Sequence, residues 1–210
     1  MQWESSSFDA AGIEGDASLV VPQVEWTWFS ADDRVLATRG HRVGLTLSGA
    51  VEGAGSTTSF AAARLRTTLI RPLTRRARWI VRGDAGWIGT DDILALPPTR
   101  RFVAGGAQSV RGFAFESIGP GDDADALVGG STLLVGSVEA DYEVIPQWRV
   151  AAFADVGDAM DAFSAFDAEL GVGLGIRWAS PLGLIRFDFA SPLSDPDDSF
   201  RLHFVFGPDL

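Results

Sequence analysis

The chain has 210 residues, of which 46% are hydrophobic and 21% charged, and its formal net charge is −11. This length suits a single domain, and the negative charge disfavours nucleic-acid partners, whose phosphates need cationic surfaces. All apolar runs fall short of the ~18 residues that a transmembrane helix needs. Cysteine is absent, which excludes disulfides and thiolate metal sites. The first residues lack the basic and apolar regions of a signal peptide. An exported protein with this sequence is therefore expected to be a mature fragment or the product of a truncated reading frame.

Taken in chain order, the sequence alternates between apolar and polar residues over nearly its whole length. Residues 1–18 alternate weakly, with Trp3 as their only anchor, and are predicted to form a frayed strand or a leader. Period-two alternation is typical of β-strands with one apolar and one polar face. A 3.6-residue period is nowhere evident, so helix should be nearly absent. We predict nine strands, at residues 19–29, 41–52, 57–71, 75–87, 134–144, 148–156, 168–178, 185–189 and 199–206.

The predicted strands have the length and pattern of membrane strands. Several contain ten or more residues, close to the ~9–11 of a transmembrane β-strand, whereas soluble strands mostly have ~5–6. Short turns alternate with long loops, and aromatic residues lie near the strand ends, as in outer-membrane barrels. The alternative is a soluble antiparallel sandwich, but these features favour an antiparallel transmembrane β-barrel. We expect its lumen to bring two charged sets face to face, namely Arg64, Arg66, Arg76, Arg78 and Arg82 against Glu139, Asp141, Glu143 and Asp155.

One long connection, residues 91–130, divides the strand pattern into two halves. Its central part, residues 101–120, contains four glycines around Arg111, Phe113 and Phe115. Connections longer than ~12–15 residues without regular structure are usually functional or disordered, and the apolar content disfavours disorder. We therefore predict a functional loop that is held by its neighbours.

The segment 105–113, Gly-Gly-Ala-Gln-Ser-Val-Arg-Gly-Phe, resembles the G-G-x-x-S-V-R-G-[FY] signature of the outer-membrane assembly and translocation barrels. That superfamily includes BamA-like, TamA-like and two-partner-secretion proteins. Segments 137–139, 153–157, 175–190 and 33–40 resemble further family motifs in the same order, the last with alanine where proline is usual. The ending, residues 204–210, is most similar to the TamA-like subgroup. The resemblance covers about residues 20–210. It implies that residues 1–210 are the C-terminal part of a sixteen-stranded barrel, about its last nine or ten strands, without the POTRA domains and signal peptide.

The resemblance also implies which residues carry the role of the loop. In the family the loop folds into the lumen, and its arginine pairs with carboxylates on the inner wall, which places Arg111 against Asp155 and Glu139 as a structural lock. Guanidinium groups bind carboxylates bidentately, and alternation places both acids on the inward face. Phe113 and Phe115 are expected to wedge the loop against the wall. The loop motif comprises Gly105, Gly106, Ser109, Val110, Gly112 and Phe113, and the last strand, half of an expected lateral seam, carries Phe200, Leu202, Phe204 and Phe206.

The function expected from the resemblance is the insertion or export of β-rich, autotransporter-like client proteins at the bacterial outer membrane. Outer-membrane lipid, the clients and an inner-membrane-anchored component are the expected partners. A two-partner secretion transporter and a passive porin-like barrel are the alternatives. We expect no enzyme and no cofactor, because no G-K-[ST] follows the glycines and neither His41 nor His203 lies in a serine–histidine arrangement. Two acidic groups lack EF-hand spacing and are predicted to be solvated rather than metal-bound: Asp122, Asp123 and Asp125, and Asp195, Asp197 and Asp198.

Overall fold

The computed structural model describes residues 2–10, 13–33, 35–121, 127–181, 183–195 and 200–210, with side chains from residue 17 onward in those ranges. Within them the chain forms antiparallel β-sheet and three 3₁₀ turns, Ile93–Ala95, Pro98–Arg100 and Phe163–Ala165. No helix in this part of the chain is long and apolar enough to cross a membrane. The strands are β1 (Gln2–Ala10), β2 (Ile13–Val21), β3 (Gln23–Ala31), β4 (Gly40–Ala50), β5 (Phe60–Pro72), β6 (Ala77–Thr90), β7 (Thr132–Ile145), β8 (Trp148–Met160), β9 (Glu169–Ser180), β10 (Gly183–Pro192) and β11 (Arg201–Phe206).

Strands β3 to β11 form one nine-stranded sheet in which each strand pairs with its neighbours in sequence. All of these pairings are antiparallel, which confirms the all-β antiparallel fold expected from the alternation. The connections after β5, β7 and β9 are short, and we call this edge of the sheet the short-turn end. The opposite edge, the long-loop end, carries residues 51–59, 91–131 and 161–168. This asymmetry is typical of outer-membrane barrels, whose short turns face the periplasm.

The N-terminal region differs from the prediction. Residues 2–10 and 13–21 form a second, two-stranded sheet rather than a frayed strand or a leader. The predicted strand at residues 19–29 is divided at Pro22, which lacks the backbone N–H that a continuous ladder needs. Leu19 and Val21 at the end of β2 are fully buried in an apolar cluster with Phe60 and Phe102 at the long-loop end.

The nine-stranded sheet has an apolar outward face and a charged inward face. Many large side chains of the outward face are exposed, with Trp26, Leu65, Trp79 and Ile176 all more than 40% accessible. Such a surface would be costly in water and suits contact with hydrocarbon. The inward face buries ionised side chains, among them Arg78, Glu139, Asp155 and Arg177.

The sheet is curled around its charged face. The four residues after β11, residues 207–210, form a C-terminal tail, and Asp209 Oδ2 lies 2.7 Å from Arg78 Nη2 on β6. In a flat sheet β11 and β6 would lie about 24 Å apart, five spacings of ~4.8 Å. Three residues of extended chain span only ~10 Å. The sheet is therefore curved around its inward face, and we call the space on this concave side the lumen.

Candidate functional site

The described residues of the connection between β6 and β7, 91–121 and 127–131, lie against the inward face of the sheet. Two isolated bridges hold its base, Phe102 with Gly130 and Ala104 with Ile118. The buried Arg101 donates to the carbonyl oxygens of Leu94, Leu96 and Val128 within the same connection. Burial lowers the pKa of Arg101 from its usual value, an effect that Asp92 opposes. These contacts fix the described part of the connection inside the lumen, and we call this part the glycine-rich loop.

The motif at residues 105–113 builds a tight turn that presents Arg111. Gly105, Gly106 and Gly112 have φ values of 99°, 98° and 102°, a region that side-chain-bearing residues rarely adopt. The Gly105 amide donates to Ser109 Oγ at 3.2 Å, and the Gly106 amide donates to the Val110 carbonyl at 3.1 Å. Val110 is fully buried in the apolar cluster of the long-loop end. The glycines and Ser109 thus fix the backbone immediately before the arginine.

All side-chain N–H donors of Arg111 bind groups on the inner wall. Its Nε and Nη2 bind the two carboxylate oxygens of Asp155 at 2.7 and 2.8 Å, a bidentate pair. Its Nη1 lies 2.8 Å from Glu139 Oε2 and 3.3 Å from Asp188 Oδ2, and Nη2 also donates to Ser137. The guanidinium carbon lies 3.4 Å from the centroid of the Phe153 ring. These contacts satisfy the five N–H donors of the group, and they join the loop to β7, β8 and β10.

The acids around Arg111 are shared with other arginines of the wall. Glu139 is fully buried, and its Oε1 accepts from Arg177 Nε at 3.0 Å while Arg82 lies 3.3 Å from its Oε2. Asp188 accepts from Arg177 Nη1 at 2.6 Å in addition to its contact with Arg111. Removing one member of such a network leaves an uncompensated buried charge. The site is therefore a connected cluster of alternating charges rather than a single pair.

Three inward-facing glycines of β9, which we call the glycine track, make room for this cluster. A Cβ atom on Gly171 would overlap the Arg111 carbonyl oxygen and lie 3.0 Å from its carbonyl carbon. A Cβ on Gly173 would overlap the Phe153 ring, and one on Gly175 would overlap the Asp188 carboxylate. The apolar–polar alternation of β9 is visible in the sequence, but the sequence did not indicate that the inward glycines make room for the loop.

The glycine-rich loop also contacts the last hairpin. The Gly112 amide donates to His203 Nε2 on β11 at 3.0 Å. A Cβ on Gly112 would lie 2.8 Å from the backbone of Ser191 and Pro192 at the end of β10. Sequence reasoning missed both Asp188 and His203 as loop contacts, although their inward parity was visible in the alternation of β10 and β11.

The C-terminal tail forms a second ionic cluster at the short-turn end. The carboxylate of Asp209 lies 2.7 Å from Arg78 and 3.3 Å from Arg186. Arg78 also binds Asp141 at 2.8 Å and donates to the Ala37 carbonyl in the β3–β4 connection. Nothing in the sequence pattern indicated that Asp209 lies inside the lumen, because it follows the last alternating residue.

The β3–β4 connection itself is tied by two aspartates. Asp32 accepts from the Thr38 and Arg39 amides at 2.9 and 3.0 Å and from the Thr38 hydroxyl, and Asp33 accepts from the Val35 and Leu36 amides. Burial alone would raise the pKa of Asp32, but these hydrogen bonds outweigh it and lower the pKa to about 2. They hold Ala37 where its carbonyl meets Arg78.

The structure brings Arg111, Asp155 and Glu139 together, and it also corrects three expectations. Phe113 is buried against the loop, whereas Phe115 is 78% exposed and does not wedge the loop against the wall. Arg76 lies exposed in the β5–β6 turn and not on the inward face. The two charged sets meet mainly between the adjacent strands β6 and β7, in the Arg78–Asp141 pair at 2.8 Å and the Arg82–Glu139 pair at 3.3 Å, rather than across the lumen.

The remaining predicted residues fall on the last strand and in the acidic groups. Phe200, Leu202, Phe204 and Phe206 are each more than half exposed on the outward side. Phe204 packs against Phe187, with ring centroids 5.0 Å apart. Asp195 is exposed, while Asp122, Asp123, Asp125, Asp197 and Asp198 lie outside the described residues. Among those that are described, no group of three or more His, Asp and Glu side chains is arranged to hold a metal ion.

A curled antiparallel sheet with an apolar exterior, a charged interior and a loop bound inside it defines an outer-membrane barrel protein. The sequence comparisons identify the family. The Omp85 superfamily domain matches residues 11–209, and the chain belongs to this superfamily. Family membership together with bacterial relatives assigns it to the bacterial outer membrane.

The relatives of the chain include two BamA proteins and a plastid envelope protein. The chain is 33% identical over 123 residues to the outer membrane protein assembly factor BamA of Nitratidesulfovibrio vulgaris, covering 53% of the chain and 16% of that protein. It is 26% identical over 226 aligned positions to BamA of Neisseria meningitidis serogroup B, covering 88% and 28%. It is 30% identical over 121 residues to the chloroplastic outer envelope protein 80 of Arabidopsis thaliana, covering 52% and 15%.

A solved structure shares the fold. The crystal structure of BamA from Haemophilus ducreyi lacking POTRA domains 1–3 superposes with a TM-score of 0.75 at 18% sequence identity, covering 91% of the chain and 42% of that structure. The chain thus spans less than a third of each relative and less than half of the solved structure.

Proposed function

We propose that the protein takes part in the assembly or translocation of β-rich client proteins at the outer membrane, without catalysing a chemical reaction. The observation that carries this proposal is the glycine-rich loop bound inside an Omp85 sheet through Arg111. Two named relatives are outer membrane protein assembly factors, which supports the same general role. In this proposal the nine-stranded sheet is the C-terminal part of a larger barrel.

The contacts of Arg111 support a role of the loop as a structural lock. Asp155 and Glu139 come from adjacent strands, and Asp188 from a third strand, so one guanidinium holds three parts of the wall in a fixed relation. Buried charge clusters contribute conformational specificity in several systems, whatever their net stability. The lock keeps the wall and the last hairpin in the geometry needed for the assembly or translocation of client proteins.

The last strand supplies half of a lateral seam in this proposal. In the described sheet β11 pairs with β10 alone, and its other edge has no partner strand. A free edge binds an extended segment through main-chain hydrogen bonds, and the outward phenylalanines of β11 would pack beside an incoming client strand. In a narrower form of this proposal, the clients are autotransporter-like proteins. The protein then belongs to the TamA-like subgroup and works with an inner-membrane-anchored component.

The test compares two arginine variants of the lumen. Arg111→Ala removes the lock, whereas Arg66→Ala removes an inward arginine that is 63% exposed and makes only a 3.4 Å contact with Asp84. In outer-membrane preparations we expect Arg111→Ala to abolish the heat-modifiable gel mobility of the folded protein and to lower the levels of other β-barrel proteins several-fold. Arg66→Ala should change neither quantity.

The outcomes separate the proposal from its alternatives. Unchanged mobility and unchanged client levels in Arg111→Ala would refute the proposal. Loss of one secreted partner with normal levels of other barrel proteins would indicate a two-partner secretion transporter. A large, steady single-channel conductance, with no effect on other outer-membrane proteins, would indicate a passive porin-like barrel.

A further inference from the structure

An open apolar groove lies on the outward face of the sheet, at the short-turn end of β6 to β10. Its volume is about 700 Å³. Its floor is formed by alanines, because Ala140 on β7 pairs directly with Ala152 on β8. In the same cross-strand row Trp79 stands on one side and Leu174 on the other, 42% and 66% exposed. Two small residues between large ones leave a trough in a surface that otherwise projects bulky side chains.

The dimensions of the groove match an acyl chain. It runs from Ala77 on β6 to Phe189 on β10, four strand spacings of ~4.8 Å or about 19 Å. Half of the hydrocarbon core of a bilayer measures about 15 Å. The lining is almost entirely apolar, with Tyr142 and Phe187 among the wall residues.

An arginine cluster lies directly beside the groove at the level expected for lipid headgroups. The turn between β5 and β6 contains Arg75 and Arg76, which are exposed and immediately precede Ala77 in the groove. Within the described residues neither has a carboxylate partner at ion-pair distance, and Arg71 adds a third cation on the adjacent outward position. The Arg76 backbone is fixed, because its carbonyl accepts from the Glu143 amide and from Arg149. The carboxylate of Glu143, whose amide bonds the Arg76 carbonyl, is already paired with Arg149 at 3.3 Å.

The same end of the sheet carries interfacial aromatics. Trp148 and Trp178 stack at 5.4 Å between ring centroids with an interplanar angle of 9°, one cross-strand row below the groove residues Val150 and Ile176. Aromatic residues mark the membrane–water interface in barrels. The apolar groove therefore lies in the leaflet on the short-turn side, with the arginines beyond it in the headgroup region.

We propose that this groove and the Arg75–Arg76 turn form a binding site for an anionic phospholipid of the periplasmic leaflet. One acyl chain lies over Ala140 and Ala152, and the phosphate faces the two arginines. A chain with a net charge of −11 would otherwise repel anionic lipid, so the cationic turn is the feature that selects the headgroup. The site is independent of the lock inside the lumen.

Binding of phosphatidylglycerol and phosphatidylcholine to the purified full chain tests the proposal, with bound lipid counted by native mass spectrometry. The groove-filling variant is Ala140→Leu/Ala152→Leu. Its control is Ala85→Leu, an outward alanine of β6 that lies outside the groove. The headgroup variant is Arg75→Gln/Arg76→Gln, with Arg39→Gln at the same end as its control.

We expect the wild type and both controls to retain phosphatidylglycerol, and to bind it at least tenfold more tightly than phosphatidylcholine. The headgroup variant should lose about thirtyfold in affinity for phosphatidylglycerol, and the groove-filling variant should lose affinity for both lipids. Equal affinity of the wild type for the two lipids, or equal affinity of the wild type and the headgroup variant, would overturn the proposal. Heat-modifiable mobility reports whether each variant is folded. The arginine substitutions lie in an exposed turn and provide the test even if the groove-filling variant does not fold.

Discussion

Replacing Gly171 by alanine should lift the glycine-rich loop from the wall. The new methyl group would overlap the Arg111 carbonyl oxygen and lie 3.0 Å from its carbonyl carbon. To regain van der Waals contact, the loop must retreat by more than about 1 Å. The bonds of Arg111 to Asp155, now 2.7 and 2.8 Å, would then exceed hydrogen-bonding distance. Breaking a buried pair of this kind costs roughly 3–5 kcal/mol, so the lifted state should become about two to four orders of magnitude more populated.

The lifted state can be measured by thiol labelling. The chain contains no cysteine, so a single Val110→Cys substitution introduces a unique thiol at a fully buried position. We expect a membrane-impermeant maleimide to label this thiol at least a hundredfold faster when Gly171→Ala is also present. The matched control is Gly44→Ala, another inward glycine of the sheet, where an added Cβ meets nothing within 4 Å. Equal labelling rates in the two backgrounds would show that the glycine track does not seat the loop.

Two further substitutions test the charged clusters, and a titration tests the β3–β4 connection. Asp188→Asn removes a carboxylate shared by Arg111 and a second arginine, and should cost about 2–3 kcal/mol, which would lower the heat-modification midpoint by about 4–12 °C; an unchanged midpoint would contradict the shared-acid interpretation. Asp209→Asn should free the C-terminal tail from Arg78, so that carboxypeptidase removes the tail at least tenfold faster, while equal rates would show that the tail is held otherwise. The carboxyl carbon of Asp32 should titrate near pH 2 rather than at the ordinary ~3.9. Because this folded-state pKa is lowered, the stabilisation by Asp32 is present above about pH 4 and disappears as the pH falls through 2; a midpoint near 4 would contradict it.

The strand pattern was predictable because alternation reports which face each residue occupies. The nine strands of the main sheet, and the inward positions of Glu139 and Asp155, follow from parity alone. The break at Pro22 and the separate β1–β2 sheet were missed, because weak alternation at residues 1–18 does not distinguish a hairpin from an irregular segment.

Other contacts could not be predicted from the sequence. Alternation shows which face of the sheet a residue occupies, but it gives neither the position of that residue along the barrel axis nor the curvature of the sheet. The alternation of β10 and β11 assigns Asp188 and His203 to the inward face, but their contact with the loop depends on how these strands curl towards β7. Asp209 belongs to no strand, and its position follows from the path of the tail across the lumen. Phe115 was expected to wedge the loop against the wall together with Phe113, yet only Phe113 is buried and Phe115 is exposed.

The contact of the glycine-rich loop with the last hairpin has a thermodynamic consequence. Gly112 donates to His203 on β11, and Arg111 binds Asp188 on β10. Any movement of the hairpin that breaks these contacts raises the free energy of the loop in its bound position. Because coupling between two equilibria is reciprocal, releasing the loop lowers the free-energy cost of moving the hairpin by the same amount. A ligand that binds only when the edge of β11 is displaced would therefore loosen the loop, and a substitution that loosens the loop would strengthen the binding of that ligand.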